Sequence, residues 1–417
     1  MKRLISILIA VMMLVLCMGG CQSSSSSSSE TESRTDAANT EGKKNSQTTD
    51  TSVKHKIGVA VYDVTDDEVI TFREYLTGYI QRCFPEIEFC YSYTIRSAED
   101  EMKFLEDACA EGVEGIMSFI TYDLSEEVAY CRSKGMYYVL ASGTVTEEEY
   151  DSVADDPYFL GVIGPGNKIE RQAGADLASY FINEMDGKSY ILFTGGANVG
   201  NEMHHARSEG ALEVFEKKFG DLGQSAEELA LTEEVVRLTL GDVNLTVFPG
   251  YTTRENVEEM AIEELENHEY DFALCMFSMY SMVDVLQREG IKQGVIDCYS
   301  MTNKELFENG TLCYVAGKFS STIGPAFAAM YNAITGYGEE FREDGKAFQM
   351  TQGYWLSKNK EEYNDQYALA TGIYVNAYNY EDLCSVIKAY DTSASFEKLK
   401  SLTEAYTREE AEVRRAQ

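Results

Sequence analysis

The chain has 417 residues, of which 35 are Lys or Arg and 70 are Asp or Glu, so its formal net charge is −35. A surface of this sign repels nucleic acid phosphates and anionic lipid headgroups, which excludes both as general partners. Hydrophobic residues make up 44% of the sequence, enough for a sizeable core, and the length predicts one or two domains.

The N-terminus has the pattern of an export signal. Two basic residues precede an apolar run from Leu4 to Leu16, which is too short for a membrane span. The following Gly19-Gly20-Cys21 resembles a bacterial lipoprotein box, although Met18 stands where Leu is usual. We therefore predict a signal peptide over residues 1–20 and a lipid on Cys21; an ordinary cleaved signal is the alternative.

A polar stretch follows the predicted signal. It begins with seven consecutive serines, Ser23–Ser29, and continues in Thr, Asn, Glu and Lys to about residue 54. Such a composition cannot form a core, so residues 21–55 are predicted to be a flexible tether. A lipid anchor and a tether would hold a folded domain at the outer face of the cytoplasmic membrane.

The remaining cysteines allow two interpretations. Their even number permits disulfides outside the cell. Most of them lie in apolar strand or helix patterns, however, which favours free thiols. No CxxC pair or Cys/His cluster suggests a metal, and no cofactor is predicted. The eight residues are Cys83, Cys90, Cys109, Cys131, Cys275, Cys298, Cys313 and Cys384.

From Lys56 onward, predicted strands alternate with helices, which is typical of parallel α/β sheets. The predicted strands are Ile57–Tyr62, Glu88–Tyr93, Gly115–Ile120, Tyr137–Ala141, Phe159–Ile163, Tyr190–Phe193, Leu245–Phe248, Phe272–Phe277, Val295–Tyr299 and Leu312–Ala316. The predicted helices are Val69–Arg82, Ala98–Ala110, Ser125–Lys134, Lys168–Glu184, Glu202–Phe219, Thr253–Asn267 and Ser281–Glu289. The series divides near Gly161–Asn167, which favours two doubly wound lobes over an eight-fold barrel.

One stretch combines a strand, a glycine loop and a helix. The apolar strand Tyr190–Phe193 is followed by Gly195 and Gly196, and Asn201 then opens a helix that carries Arg207. This order places Arg207 at the carboxyl edge of a parallel sheet, where open α/β folds bind ligands. Its planar guanidinium would offer several donors there. A solvated Arg on a helix surface is the alternative.

The region from Lys56 to Asn359 resembles the type I periplasmic sugar-binding proteins, the substrate-binding components of ABC importers. Each motif is weak alone, and their order and spacing are the specific feature. The matching segments are Ile57–Asp63, Ala108–Ile116, Gly196–Gly210, Phe272–Gly290, Gly310–Leu312 and Tyr354–Asn359.

The resemblance implies an α/β fold of two lobes joined by a hinge that the chain crosses three times. The first lobe would comprise residues 56–162 and about 319–352. The second would comprise 163–318 and about 353–417, including extra C-terminal helices predicted at Tyr380–Tyr390 and Phe396–Glu412.

The resemblance also implies a set of ligand-binding residues at the cleft between the lobes. Among them, Arg207 would hold a sugar hydroxyl or ring oxygen. The set is Tyr62, Asp66, Asp67, Asn201, Arg207, Ser278, Tyr280, Ser300 and Lys318.

The sequence departs from the family pattern at four of the cleft positions. Ser278-Met279 replaces the usual Asn-Asp, Ser300 stands for an Asp, Lys318 for a hinge glutamine, and Glu68 for a stacking aromatic residue. The pattern thus loses carboxylates and gains a cation. We expect Arg207 and Lys318 to lie close together with Asp66 as their counter-charge, and the ligand to be a sugar, a sugar acid or a related polyhydroxyl compound.

These observations predict a monomeric, lipid-anchored receptor that delivers a small polar solute to the permease of an ABC importer and catalyses no reaction. No nucleophile elbow or HExxH motif is present. Two alternatives remain: a sensory lipoprotein that presents its ligand to a signalling receptor, and an exported enzyme on a Rossmann-like scaffold.

Overall fold

The computed structural model describes residues 55–195, 202–250, 256–371 and 377–416, which belong to one compact unit. Thirteen strands in these residues form two sheets. They are β1 (His55–Val61), β2 (Ile87–Thr94), β3 (Gly115–Ser118), β4 (Tyr137–Leu140), β5 (Phe159–Gly164), β6 (Ser189–Thr194), β7 (Val236–Leu240), β8 (Val243–Pro249), β9 (Phe272–Cys275), β10 (Lys292–Cys298), β11 (Leu312–Lys318), β12 (Phe348–Thr351) and β13 (Trp355–Ser357).

The first sheet has six strands in the order β12-β5-β4-β3-β1-β2, and all of its pairings are parallel. The second has seven strands in the order β13-β11-β10-β9-β6-β8-β7. Its five central strands are parallel, and the two edge strands β7 and β13 are antiparallel to their neighbours. We refer to each sheet with the helices packed on it as the first and the second lobe.

The α-helices lie between successive strands and in a C-terminal group. They are α1 (Asp67–Arg73), α2 (Ala98–Ala110), α3 (Leu124–Lys134), α4 (Glu147–Val153), α5 (Gly166–Glu184), α6 (Glu202–Phe219), α7 (Ala226–Ala230), α8 (Val257–Asn267), α9 (Val283–Glu289), α10 (Met301–Glu308), α11 (Gly324–Asn332), α12 (Lys360–Ala370), α13 (Tyr380–Cys384), α14 (Phe396–Glu404) and α15 (Arg408–Ala416). Helix α1 continues through a π-helical segment, Glu74–Ile80, into Gln81–Cys83.

The predicted α/β class with two doubly wound sheets is confirmed, and the eight-fold barrel is excluded. The helices predicted at Ala98–Ala110 and Glu202–Phe219 have the predicted bounds. Strand β7 was not predicted because its alternating sequence VRLTL is half exposed at the sheet edge. It pairs with β8 through a two-residue turn in which Gly241 has a φ of 71°, a conformation that suits glycine.

Three chain segments connect the lobes where β5 meets α5, where β11 ends, and between β12 and β13. They are packed on one another: the rings of Phe319 and Trp355 lie 4.4 Å apart, and the Gln352 N–H donates to the Gly164 carbonyl at 3.0 Å. The hinge is therefore itself part of the buried core.

The C-terminal helices do not lie where the sequence predicted. Helix α12 packs on β13 of the second lobe, whereas α13 and α14 pack on α11 and β12 of the first. Aromatic side chains explain why this part of the chain packs on the first lobe, because Tyr380 and Tyr390 contact Phe84 there.

The bounds of these helices also differ from the prediction. The helix expected at Tyr380–Tyr390 ends at Cys384. The one expected at Phe396–Glu412 is divided in two, because Ala405 leaves the helical region with a ψ of 61°.

The structure also bears on the predicted free thiols and on membrane-spanning helices. The eight cysteines among the described residues have free thiols. No helix in those residues is long and apolar enough to cross a bilayer.

Candidate functional site

A cavity of about 490 Å³ lies between the two lobes and is lined by both. Its polar lining residues stand near the carboxyl ends of parallel strands, where α/β sheets place ligands. Tyr62, Asp66 and Glu68 come from the segment after β1, whereas Asp297 and Lys318 come from β10 and β11. We call this cavity the cleft.

Arg207 lies at the cleft and is held by a buried carboxylate. Its Nε donates to Glu170 at 2.6 Å, and its Nη2 donates to Glu170 at 3.3 Å and to the Tyr354 hydroxyl at 2.6 Å. Its Nη1 donates to the Met276 carbonyl at 2.7 Å. Burial alone lowers the pKa of Arg207, but the charge of Glu170 outweighs it and raises the pKa. Four of its five N–H groups are thus engaged, which leaves one on Nη1 without a partner in the described residues.

Close helix packing brings Glu170 and Arg207 together. A Cβ added to Gly174 of α5 would lie 1.8 Å from the Arg207 carbonyl oxygen. In the same way, a Cβ on Gly210 of α6 would lie 1.9 Å from the carbonyl oxygen of Arg171. The two helices therefore approach backbone to backbone, and this contact sets the position of the ion pair.

We expect Gly174→Ala to destabilise the protein by about 1–3 kcal/mol, because α5 and α6 must move apart to admit the methyl group. Gly78→Ala is a matched control, since Gly78 is also helical and a Cβ there has no atom within 4 Å. The control should be neutral or stabilising by about 0.5–1 kcal/mol. Urea unfolding of both variants measures the difference, and equal midpoints would contradict the packing argument.

Lys318 pairs with a carboxylate of the opposite lobe. Its Nζ lies 2.9 Å from Glu68 Oε1, and both side chains are largely buried. The expectation that Asp66 neutralises Arg207 and Lys318 together is wrong. Each cation has its own carboxylate, Glu170 or Glu68, because a buried charge requires a partner in direct contact.

Asp66 and Asp297 are the other carboxyl groups in the inner part of the cleft. Asp66 caps α1 by accepting the Glu68 N–H at 2.8 Å, and it also accepts the Tyr62 hydroxyl at 3.0 Å. Burial, and then the charge of Glu68, raises the pKa of Asp66 to about 6. Burial, and then the charge of Asp66, raises the pKa of Asp297 to about 7.

Asp297 was missed in the sequence. Its Oδ2 accepts the Tyr280 hydroxyl at 2.5 Å and an Asn303 N–H at 2.6 Å. The sequence comparison matched Ser300 to the family's Asp after this strand, whereas the structure has Asp297, inside β10, in the lining of the cleft. The available signal was Asp297 itself, the one carboxylate at the carboxyl end of the apolar run Gly294–Ile296.

Of the other predicted site residues, two contribute to the cleft, two do not, and one lies outside the described residues. Ser278 lines the cleft, and Tyr280 contributes through its hydrogen bond to Asp297. Ser300 is buried and caps α10 by accepting the Asn303 N–H at 3.1 Å, and Asp67 lies at the start of α1; neither lines the cleft. Asn201 lies outside the described residues.

Aromatic rings supply apolar surface in the cleft. Phe72 and Phe119 of the first lobe lie 5.0 Å apart, and the rings of His204 and Phe277 of the second lobe are separated by the same distance. Burial, and then the charge of Arg207, lowers the pKa of His204 well below its usual value, so its imidazole is neutral. These rings could pack on an apolar ligand face although Glu68 replaces the aromatic residue expected near it.

A buried acid pair supports one wall of the cleft. Glu127 accepts the Thr121 hydroxyl at 2.8 Å and the N–H groups of Tyr122 and Asp123, both at 2.9 Å, while Glu101 accepts the Tyr122 N–H at 3.2 Å. Thr121 and Tyr122 line the cleft. The pair thus fixes the loop after β3.

In the part of the chain that the structure describes, no group of three His, Cys, Asp or Glu residues is arranged to hold a metal ion.

Comparison with known proteins gives similarity at the level of structure only. No protein-family model and no curated protein matches the sequence. Among solved structures, the periplasmic binding protein of the arabinose ABC transporter from Shewanella sp. ANA-3, bound to arabinofuranose, is 13% identical with a TM-score of 0.52. The match covers 75% of this chain and 94% of that one.

Two other similar structures are solute-binding proteins of ABC transporters. One from Bacillus halodurans C-125 with bound myo-inositol is 14% identical, with a TM-score of 0.53 and coverage of 77% of this chain and 99% of that one. One from Actinobacillus succinogenes 130z with bound D-allose is 12% identical, with a TM-score of 0.54 and coverage of 75% and 100%. The chain therefore has the two-lobed α/β fold of the type I periplasmic sugar-binding proteins.

Proposed function

We propose that the protein is a lipid-anchored, extracytoplasmic receptor that binds a small polyhydroxyl solute and delivers it to the permease of an ABC importer. The observation that carries this proposal is the cleft of about 490 Å³, to which both lobes contribute buried polar groups. Its size is that of a small-molecule site. The unengaged N–H of Arg207 and the carboxyl groups of Asp66 and Asp297 suit the hydroxyl groups of a sugar or polyol.

Binding would proceed by hinge closure. A ligand that contacts Asp66 on the first lobe and Arg207 on the second interacts with both only when the lobes are together, so it stabilises the closed state. The Lys318–Glu68 pair joins the lobes beside the hinge and would keep them aligned during this movement.

The similar structures support the choice of solute class. Their ligands are arabinofuranose, myo-inositol and D-allose, all compact molecules rich in hydroxyl groups. We propose that the protein works as a monomer and without a cofactor.

A thermal-shift screen tests the receptor proposal. The mature protein is heated with monosaccharides, sugar acids, amino sugars, polyols, nucleosides and amino acids. A ligand that binds only the folded state adds about 2.7 kcal/mol of stability at 100 times its Kd, which gives a clear rise in Tm. We expect the rise with a member of the carbohydrate or polyol group. If no member of that group raises the Tm, the proposed solute class is wrong.

The protein should return its ligand unchanged. Mass spectrometry after prolonged incubation with the best hit from the screen measures this directly. Formation of a product that requires the folded protein would favour an exported enzyme over a receptor.

The anchor can be tested separately from binding. We expect Cys21→Ala to move the protein from the membrane fraction to the soluble exported fraction, because the acylated residue is lost. Cys17→Ala is the matched control, since it removes a cysteine of the same segment, and it should remain membrane-bound. Unchanged fractionation of Cys21→Ala would contradict the anchor.

A further inference from the structure

The charge balance of the cleft identifies its ligand more closely than the fold does. Five carboxyl groups line it, against three cations. The carboxyl groups are Asp66, Glu68, Glu149, Glu202 and Asp297, and the cations are Arg96, Arg207 and Lys318. Glu170 adds a further negative charge behind Arg207.

The two innermost cations are already neutralised. Arg207 and Lys318 each contact a carboxylate of the protein, and their side chains are only 5% exposed. An anionic ligand would therefore approach Glu170 and Glu68 together with the two cations, and it would gain little. A hydroxyl oxygen can still accept the remaining Arg207 N–H without bringing in a negative charge.

Neither Asp66 nor Asp297 takes part in the two ion pairs of Arg207 and Lys318. They enter the cleft from opposite lobes, and each has one carboxyl oxygen fixed by a tyrosine, Tyr62 or Tyr280. Burial raises the pKa of both carboxyl groups, and each is raised further by a neighbouring negative charge. Within the residues that the structure describes, neither group contacts a cationic side chain.

The surroundings of Asp297 add more negative charge. Asp66 and Glu68 face it from the first lobe, and Tyr280, Asn303 and Cys298 surround it on the second. Lys318 is paired in register with Cys298 on the adjacent strand, but its ammonium group is engaged by Glu68.

Resting on the proposed function, we propose that the solute is an amino sugar or amino polyol, whose ammonium group lies between Asp66 and Asp297 when the lobes close. Its hydroxyl groups would accept the Arg207 N–H, and its apolar face would pack on Phe277. An ammonium group between two carboxylates forms charge-assisted hydrogen bonds to both, and these are stronger than bonds from a neutral hydroxyl.

Calorimetric titration with sugars that differ only in charge tests this assignment. The probes at pH 7.0 are glucosamine, galactosamine and mannosamine, their neutral parent sugars, and glucuronate and galacturonate. We expect one amino sugar to bind at least about 10-fold more tightly than its parent, and the uronates to bind most weakly. A neutral sugar or a uronate that binds most tightly overturns the amino-sugar assignment and leaves the receptor proposal standing. Failure of all these probes to bind overturns the amino-sugar assignment, whereas the receptor proposal falls only if no carbohydrate or polyol of the thermal-shift screen raises the Tm.

Two further measurements address Asp297 itself. In Asp297→Asn the preference for the amino sugar over its parent should fall below about 3-fold. Asp365→Asn, which removes one exposed charge on α12 outside the cleft, should retain the preference. In the unmodified protein the preference should grow from pH 5 to pH 7, as Asp66 and Asp297 lose their protons. A preference that is constant over this range would exclude the assignment even if Asp297→Asn did not fold.

Discussion

Replacing Glu170 by Ala is expected to destabilise the protein by about 3–5 kcal/mol. The change leaves the Arg207 guanidinium, which is only 5% exposed, without its carboxylate in the interior of the second lobe. The Tyr354 hydroxyl would lose the same carboxylate, because it also donates to Glu170, at 2.7 Å. The free energy of unfolding in urea measures the effect.

A double variant distinguishes a buried charge from a lost packing contact. Glu170→Leu combined with Arg207→Met removes both charges at similar volume, so it should recover part of the stability that Glu170→Ala loses, while the Tyr354 hydroxyl stays without these partners. Asp107→Ala serves as the exposed counterpart, since it breaks the surface pair with Lys103 and should leave stability unchanged within error. If Glu170→Ala changed the free energy of unfolding as little as Asp107→Ala does, the claim that the buried ion pair stabilises the site would be contradicted.

The second large effect concerns pH and the buried pair Glu101–Glu127. Burial, and then the charge of Glu127, raises the pKa of Glu101 far above its usual value. At pH values above the pKa of the unfolded chain and below that of the folded protein, the folded protein holds a proton that the unfolded chain releases. Stability therefore falls as the pH rises, by up to about 1.4 kcal/mol per pH unit. Glu101→Gln keeps a neutral polar side chain and removes this proton. As the pH rises from 6 to 8, the free energy of unfolding of Glu101→Gln should therefore increase relative to that of the parent, by on the order of 2 kcal/mol.

Glu127→Gln is the matched control for this pair. Glu127 accepts two backbone N–H groups and two hydroxyl groups, so an amide at this position would turn its NH₂ group toward a donor. It should destabilise the protein throughout this pH range. Thermal unfolding of the three proteins from pH 5 to pH 9 measures both effects. Curves for Glu101→Gln and the parent that run parallel would show that Glu101 carries no extra proton in the folded state.

The sequence predicted those parts of the site that depend on local order. Arg207 was placed at the cleft because a strand, a glycine loop and a helix follow one another there. The resemblance to the binding-protein family implied Asp66 and Lys318 as ligand-binding residues, and both line the cavity. The position of such a residue depends on the strand or helix that carries it and on the edge of the sheet that it reaches.

The sequence did not predict which groups would face each other across the fold. Glu170 precedes Arg207 by 37 residues and meets it only because Gly174 and Gly210 let two helices touch. The C-terminal helices were assigned to the wrong lobe for the same reason, since their contacts with Phe84 join residues about 300 positions apart. Such pairings depend on the packing of whole elements, which residue patterns within one element do not contain.

Calorimetric titration of a cleft-filling variant tests the central claim most directly. Ser278 lines the cleft at the boundary of the second lobe, and Ser278→Trp would fill part of the space between the lobes. The best carbohydrate or polyol hit should bind the parent with one-to-one stoichiometry. Its binding to Ser278→Trp should be at least about 100-fold weaker, a loss of about 2.7 kcal/mol, while the Tm of the unliganded variant stays close to that of the parent. An unchanged Kd for Ser278→Trp would place the ligand outside the cleft and contradict the account.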